Sequence, residues 1–327
     1  MSTPQISVVI PAYRAESTIR ATLESVLAQG IQDWEALVVD DGSDDGTGEI
    51  IRTFAARDPR IRLLMHPDGG NRGVSASRNL ALSRATGKYV AFLDADDVWR
   101  PDALAVCSST LDQREDVVLT WARARSFGNT ERHPGPIRGA GHPGIPVDAL
   151  TQLVRANVIV TSATLVRRAS LAEQPFAPNL PFQIEDWVLW LDLAKKGPFL
   201  FRDEEIAFYR VRPEGATVLA TAGHSAIEFE LAQAEVLHHW FAGASRSEKR
   251  ILRGGLAYRA CDCLRQSLSH LRHARLGAAL DWFEGAIRVA RRPAVFLRAI
   301  KLLPEEHRRA SSGLPPLEPP VPWRMEK

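Results

Sequence analysis

Apolar residues fall in short runs, each broken by a polar turn and followed by a stretch of helical spacing. Ile6 to Ile10 stops at Pro11, and Glu16 to Gln29 then carries Ile19, Leu23, Val26 and Leu27 on one helical stripe. Ala36 to Val39 ends in Asp40-Asp41-Gly42-Ser43, and its helix, Gly46 to Ala56, places Ile50, Ile51 and Phe54 inward. Ile61 to Met65 reads as a third strand. A glycine-rich segment, His66 to Arg72, leads to a helix from Val74 to Ala85, which Gly87 is expected to close before a fourth strand, Tyr89 to Leu93. Repeated strand–helix alternation predicts an α/β fold: a mainly parallel central sheet with helices on both faces, joined by right-handed crossovers. Further on, Asp102 to Gln113 reads as helix, Val117 to Ala122 as strand, Val158 to Val166 as a β-branched run, Glu185 to Ala194 as helix and Ile206 to Val211 as a last strand. From Ala226 to about Leu303 the pattern is helical, with Leu276, Leu280, Phe283, Ile287 and Ala290 as one stripe, and Leu314 to Trp323 is a proline-rich extended tail. The expected division is a domain over 1–220 and a helical C-terminal extension over 221–327.

The fourth strand stops abruptly on Asp94, Asp96 and Asp97. In an open α/β sheet ligands bind where the strands end, so Pro11-Ala12-Tyr13, Asp40 to Ser43 and Asp94-Ala95-Asp96 should line one crevice although far apart in sequence. Asp94 and Asp96 together suit a hard divalent ion and the phosphates it carries, with Mg2+ or Mn2+ as the candidates. Asp97 is expected to cap the helix that Pro101 and Asp102 begin. Asp41 offers an acceptor to a base or ribose, and Tyr13 a ring on which a flat group can stack. Gly73 and the amides of Val74 and Ser75 open a helix, which suits a phosphate, with Arg78 one turn on. Neither a Walker sequence nor a G-x-G-x-x-G after the first strand is present, which argues against a P-loop enzyme and a dinucleotide oxidoreductase.

Composition adds limits. The chain has 327 residues, 45% of them hydrophobic, and no uncharged apolar run long enough to span a bilayer, while Met1 to Gln5 is too short and polar for a signal peptide, so a cytoplasmic protein is expected. Cys107, Cys261 and Cys263 make neither a disulfide framework nor a zinc site. From Leu219 onward there are 17 Lys and Arg against 11 Asp and Glu, compared with 24 against 28 before it. A basic helical tail of this kind is either a solvated face or a contact with an anionic membrane or a second subunit.

Four segments in order, Ser-Val-Val-Ile-Pro-Ala-Tyr, Val-Val-Asp-Asp-Gly-Ser-Asp-Asp-Gly-Thr, Gly-Val-Ser-Ala-Ser-Arg-Asn and Phe-Leu-Asp-Ala-Asp-Asp-Val-Trp, resemble glycosyltransferase family 2. The likeness runs from Ile6 to about Leu104 and recurs at Ile184-Glu185-Asp186-Trp187 and at Phe208-Tyr209-Arg210. It implies an A-type glycosyltransferase fold, a nucleotide-diphosphate-sugar donor, most simply a UDP-sugar, a divalent metal and inversion at the anomeric carbon. It further implies that Pro11, Tyr13, Asp41 and Arg78 lie at the donor, that Asp94 meets the ribose, that Asp96 holds the metal, and that Asp186 is the general base with Glu185 shaping its surroundings. Paired acids at a helix start also serve as caps, which is the plainer reading of Glu185 and Asp186. Where many members carry a histidine, two positions after Tyr209-Arg210, this chain has Arg212, a guanidinium suited to a phosphate. The acceptor implied is a saccharide or lipid-linked saccharide, with no nucleic-acid partner. A sugar-1-phosphate nucleotidyltransferase and a catalytically idle sugar-nucleotide-binding protein are the rival readings.

Overall fold

The computed structural model describes residues 4–128, 137–139, 141, 143–144, 146–147, 149–178, 180, 184–211, 226–272 and 276–311. These fall into two compact units. The first gathers 1–148, 158–180 and 185–213, and the second gathers 149–157, 181–184 and 214–327.

The first unit is built on a mixed sheet. Strands β1 (Ile6–Ala12), β2 (Trp34–Asp40), β3 (Ile61–Met65) and β4 (Tyr89–Phe92) form a parallel block in the order β3-β2-β1-β4, connected through helices α1 (Ile19–Leu27), α2 (Thr47–Arg57) and α3 (Val74–Leu82). Every residue of β2 is buried and β1 is nearly so, as covering helices on both faces require. Beyond β4 the sheet continues through β5 (Val98–Trp99), α4 (Ala103–Gln113), β6 (Leu119–Gly128), β7 (Ile137–Arg138), β8 (Pro146–Val147), β9 (Thr164–Arg167), α6 (Glu185–Ala194) and β10 (Phe199–Val211). A short helix, α5 (Ala149–Leu153), falls between β8 and β9 in sequence and belongs to the second unit. Strand β9 runs antiparallel between β4 and β6, while β6 and β10 are parallel to each other.

Three departures from the sequence reading have physical causes. The β-branched run at 158–166 splits into a 3-10 turn, Thr161–Ala163, and the strand β9. Strand β10 begins seven residues earlier than its apolar end predicts, because the charged Arg202 to Glu205 are paired, Arg202 with Glu204 along the strand and Asp203 and Glu205 across the sheet. Arg123 meets Asp203, and Arg125 grips Glu205 with bonds of 2.5 and 2.6 Å. Gly87 does not close α3, which ends at Leu82; a Cβ there would lie 2.6 Å from the Ser7 nitrogen, so its role is close approach to β1.

The second unit is helical: α7 (Ala226–Trp240), α8 (Arg246–Arg272), α9 (Leu276–Ala290) and α10 (Pro293–Ser311), with α5. Its core combines large side chains, Leu237, Phe241, Leu256 and Leu264, with small ones, Ala257, Ala260, Cys261 and Cys263 on α8 and Ala279, Ala286 and Ala290 on α9. Arg259 ties it internally, donating to the Val154 carbonyl at 2.9 Å and to Glu230 at 2.8 Å. All three cysteines are free and buried, and burial pushes the Cys107 thiol up to about 12, which keeps it protonated and inert. The tail expected over Leu314 to Trp323 lies outside the described residues.

Candidate active site

The parallel register brings the predicted strand ends together. Ala12 pairs with Asp40 across β1 and β2, and Val9 pairs with Phe92 across β1 and β4, which sets Asp94 level with Pro11. Asp94 to Asp97 then form a tight turn, the Asp97 N–H donating to the Asp94 carbonyl at 3.0 Å. Helix α1 fixes this turn from beneath. The buried Thr18 hydroxyl donates to the Ala95 carbonyl at 2.9 Å, and the single Thr22 hydroxyl proton is shared between the carbonyls of Asp97 at 2.8 Å and Ala95 at 3.0 Å. A threonine in a helix usually wastes its hydroxyl on its own backbone; here Thr22, with Thr18 just before α1, supplies donors that a buried turn needs.

Asp97 corrects one expectation. The residue at the start of α4 is Asp102, and Asp97 is buried inside the turn, accepting from the Ser162 hydroxyl at 2.5 Å and from the Arg210 N–H at 2.8 Å. Burial, together with the neighbouring Asp96 and Asp94 charges, pushes its carboxyl well above the usual range. Arg210 also donates from Nε to the Asp96 carbonyl at 2.8 Å, so Tyr209-Arg210 at the end of β10 closes against the acidic turn. Arg212 lies outside the described residues.

Asp94 and Asp96 remain half-buried at the rim. One Asp94 oxygen accepts from Arg78 Nη2 at 2.8 Å. Arg78 sits with its guanidinium 5.2 Å over the Phe176 ring, only 4% exposed, and its other terminal nitrogen donates to Glu185 at 2.6 Å. One guanidinium therefore joins the acidic turn after β4 to the start of α6. Sequence placed Arg78 at the donor; in the structure its guanidinium is buried and each terminal nitrogen donates to a carboxylate, which positions the two acids. Asn79, next to it, clamps Phe176 from both sides, donating to its carbonyl at 2.8 Å and accepting its N–H at 3.1 Å.

Asp186 follows Glu185 on α6 and accepts the Thr161 hydroxyl at 2.6 Å. Burial raises its carboxyl to about 6, with the Glu185 charge adding to the rise and the Thr161 bond and Arg78 opposing it. A carboxylate held there is a better proton acceptor near neutrality than an ordinary aspartate. Thr161 and Ser162, which hold Asp186 and Asp97, were missed in sequence; the signal was a polar pair inside an otherwise apolar run.

At the other rim Asp41 is buried and accepts from the Arg72 N–H at 2.8 Å and the Gly73 N–H at 2.9 Å, so it organises the loop before α3. Gly42, at φ 72°, lets that loop lie close: a Cβ would meet the Asn71 nitrogen at 2.8 Å. His66, another residue that sequence missed, places Nε2 3.0 Å from the Ser77 hydroxyl and 3.3 Å from Asp41. Tyr13 is exposed, with the Arg14 guanidinium 5.2 Å from its ring centre, and Arg14 is held there by two 2.7 Å bonds to Asp44.

Among the described residues no group of three or more His, Cys, Asp and Glu could hold a cation unaided. The oxygen donors present, Asp94 and Asp96 on one turn, fit a Mg2+ or Mn2+ that completes its shell with substrate phosphates and water.

Comparison with known proteins gives the chain's family and fold. The model of glycosyl transferase family 2 matches residues 7–173. The Escherichia coli UDP-Glc:alpha-D-GlcNAc-diphosphoundecaprenol beta-1,3-glucosyltransferase WfgD is 44% identical over 191 residues, covering 58% of this chain and 70% of its own. Staphylococcus aureus TarS, solved with UDP-GlcNAc, superposes with a TM-score of 0.56 at 17% identity, over 86% of this chain and 90% of the other. The mannosyltransferase PcManGT of Pyrobaculum calidifontis, solved with GDP-Man and Mn2+, gives 0.55 at 19% identity, over 93% and 88%. At those identities the two structures show a shared fold, while the family match and the WfgD likeness carry the lineage: this chain belongs to glycosyltransferase family 2, and it is a nucleotide-sugar glycosyltransferase.

Proposed function

We propose that the first unit is the catalytic domain of an inverting transferase that moves a hexose from a UDP-sugar to a hydroxyl of a saccharide carried on a lipid diphosphate. The observation that carries the reading is the Arg78 bridge, which joins the donor-side acid Asp94 to Glu185, the neighbour on α6 of the acceptor-side Asp186 that Thr161 holds. The named activity of WfgD, on a lipid-diphosphate acceptor, supports the acceptor class, and the UDP-GlcNAc held by TarS supports the nucleotide.

In this scheme the donor's base stacks on Tyr13 and meets the Asp41 loop, while its ribose and diphosphate lie over the Asp94–Asp97 turn. When bound, a divalent cation at Asp94 and Asp96 would neutralise charge on the departing diphosphate. Asp186 takes the proton of the acceptor hydroxyl as that oxygen bonds to the anomeric carbon. The bond from that carbon to the diphosphate breaks on the opposite face, so configuration inverts. Glu185 does not exchange the proton; its charge, spent on Arg78, keeps Asp186 basic.

The test is product identity. The chain is incubated with a panel of nucleotide-sugars, Mn2+ and a short-chain lipid-diphosphate saccharide. Release of nucleoside diphosphate with a lengthened acceptor supports the reading, whereas pyrophosphate supports the nucleotidyltransferase alternative and binding without turnover supports the idle one.

A further inference from the structure

Helix α9 faces the wrong way for a helix that only packs in a bundle. Its small residues Ala279, Ala286, Val289 and Ala290 are buried, while Leu280, Phe283 and Ile287 are 68%, 45% and 48% exposed. Positions 280, 283 and 287 share one helical face, so this is a continuous outward stripe. Helix α10 repeats the arrangement: Val295 and Ala299 are buried, and Leu297 and Ile300 are 58% and 43% exposed. Phe283 and Phe296 meet edge to face at 6.0 Å and join the two outer faces into one apolar surface. Large apolar side chains clustered in water mark a docking surface, because a chain gains nothing by leaving them there.

The charges on the same helices say what docks. Arg288 on α9, Arg298 and Lys301 on α10, and Arg292 in the link between them are exposed, as is Arg291, which pairs with Glu235 at 2.7 Å, against Asp281 and Glu284 on α9. We propose that this face lies on an anionic lipid bilayer, with Leu280, Phe283, Ile287, Leu297 and Ile300 entering the boundary between headgroups and acyl chains while the cations meet lipid phosphates. No helix among the described residues is long and apolar enough to cross a membrane, so the contact is interfacial. A second copy of the chain is a poorer occupant: a two-fold contact sets a patch against itself, and like charges would then face one another. The proposal needs no particular donor or acceptor, so it stands or falls apart from the catalytic reading.

The test is co-sedimentation of the full chain with sucrose-loaded vesicles, of phosphatidylcholine alone and of phosphatidylcholine mixed with phosphatidylglycerol. Binding to the anionic vesicles should exceed binding to the neutral ones and weaken with salt. The pair Leu280→Gln and Ile287→Gln should weaken it by at least about tenfold with a nearly unchanged thermal melt, because Leu280 is already mostly, and Ile287 about half, in water. Absence of anionic-vesicle binding at low salt, or equal binding by the double variant, overturns the proposal. So does binding that appears only when residues 312–327 are removed, which would make the tail the occupant. A dimer that the double variant dissolves, without lipid binding, would make the face a self-interface and overturn it likewise.

Discussion

Arg78 is the residue on which most of the site depends. It is buried, and it faces Glu185 and Asp94 at 2.6 and 2.8 Å. Arg78→Met leaves two carboxylates without their countercharge, one of them buried, and should cost about 3–5 kcal/mol, measured by denaturant unfolding. Arg78→Lys keeps a charge but cannot span both acids, so it should fold better than Arg78→Met yet still turn over poorly. Asp186 sets a second expectation. With its carboxyl raised to about 6 by burial and by Glu185, it is protonated below that pH and cannot accept a proton, so kcat/KM should fall as pH drops through about 6. Glu185→Gln removes one cause of the rise and frees Arg78, so the acid limb should move to lower pH. Thr161→Val removes a bond that stabilises the carboxylate and should move it higher. A limb that stays fixed in both variants would show that another group titrates.

At the scale of elements, the parallel block was legible because buried strands and their helices alternate with unmistakable punctuation, and the crevice followed from strand direction alone. What sequence hid was compensation by distant partners. The charged middle of β10 reads as loop until Arg123 and Arg125 on β6 stand opposite Asp203 and Glu205. Asp97 reads as a cap until Ser162 and the Arg210 backbone occupy its oxygens. Arg78 reads as a ligand-binding cation for the same reason, since Glu185 is 107 residues away. The loop before α3 gives a prediction of its own. Gly42→Ala forces a side chain against the Asn71 backbone at a positive φ and should displace the loop, with a loss of donor affinity and at least about 1 kcal/mol of stability. Gly69→Ala, also at positive φ but with nothing within 4 Å, should show the strain without the loss of affinity.

For the whole molecule, the family match over residues 7–173 leaves helices α7 to α10 outside it. Sequence displayed the stripe on α9 but not its direction; buried alanines on the opposite face turned the larger residues outward. Metal dependence belongs at this scale because a cation would be shared between the turn and the substrate. Chelation should abolish turnover, Mg2+ or Mn2+ should restore it, and Asp96→Ala should not be restored; full activity in excess chelator would remove the metal from the account. The central claim is that Asp186 is the base of a transfer reaction rather than a helix cap. Asn keeps its size and its capacity to cap, so the decisive measurement is turnover and donor affinity of Asp186→Asn in one preparation. The account predicts a folded enzyme that binds donor as the wild type does and turns over ~10²–10⁴ times more slowly; turnover above about a tenth of the wild-type rate would contradict it.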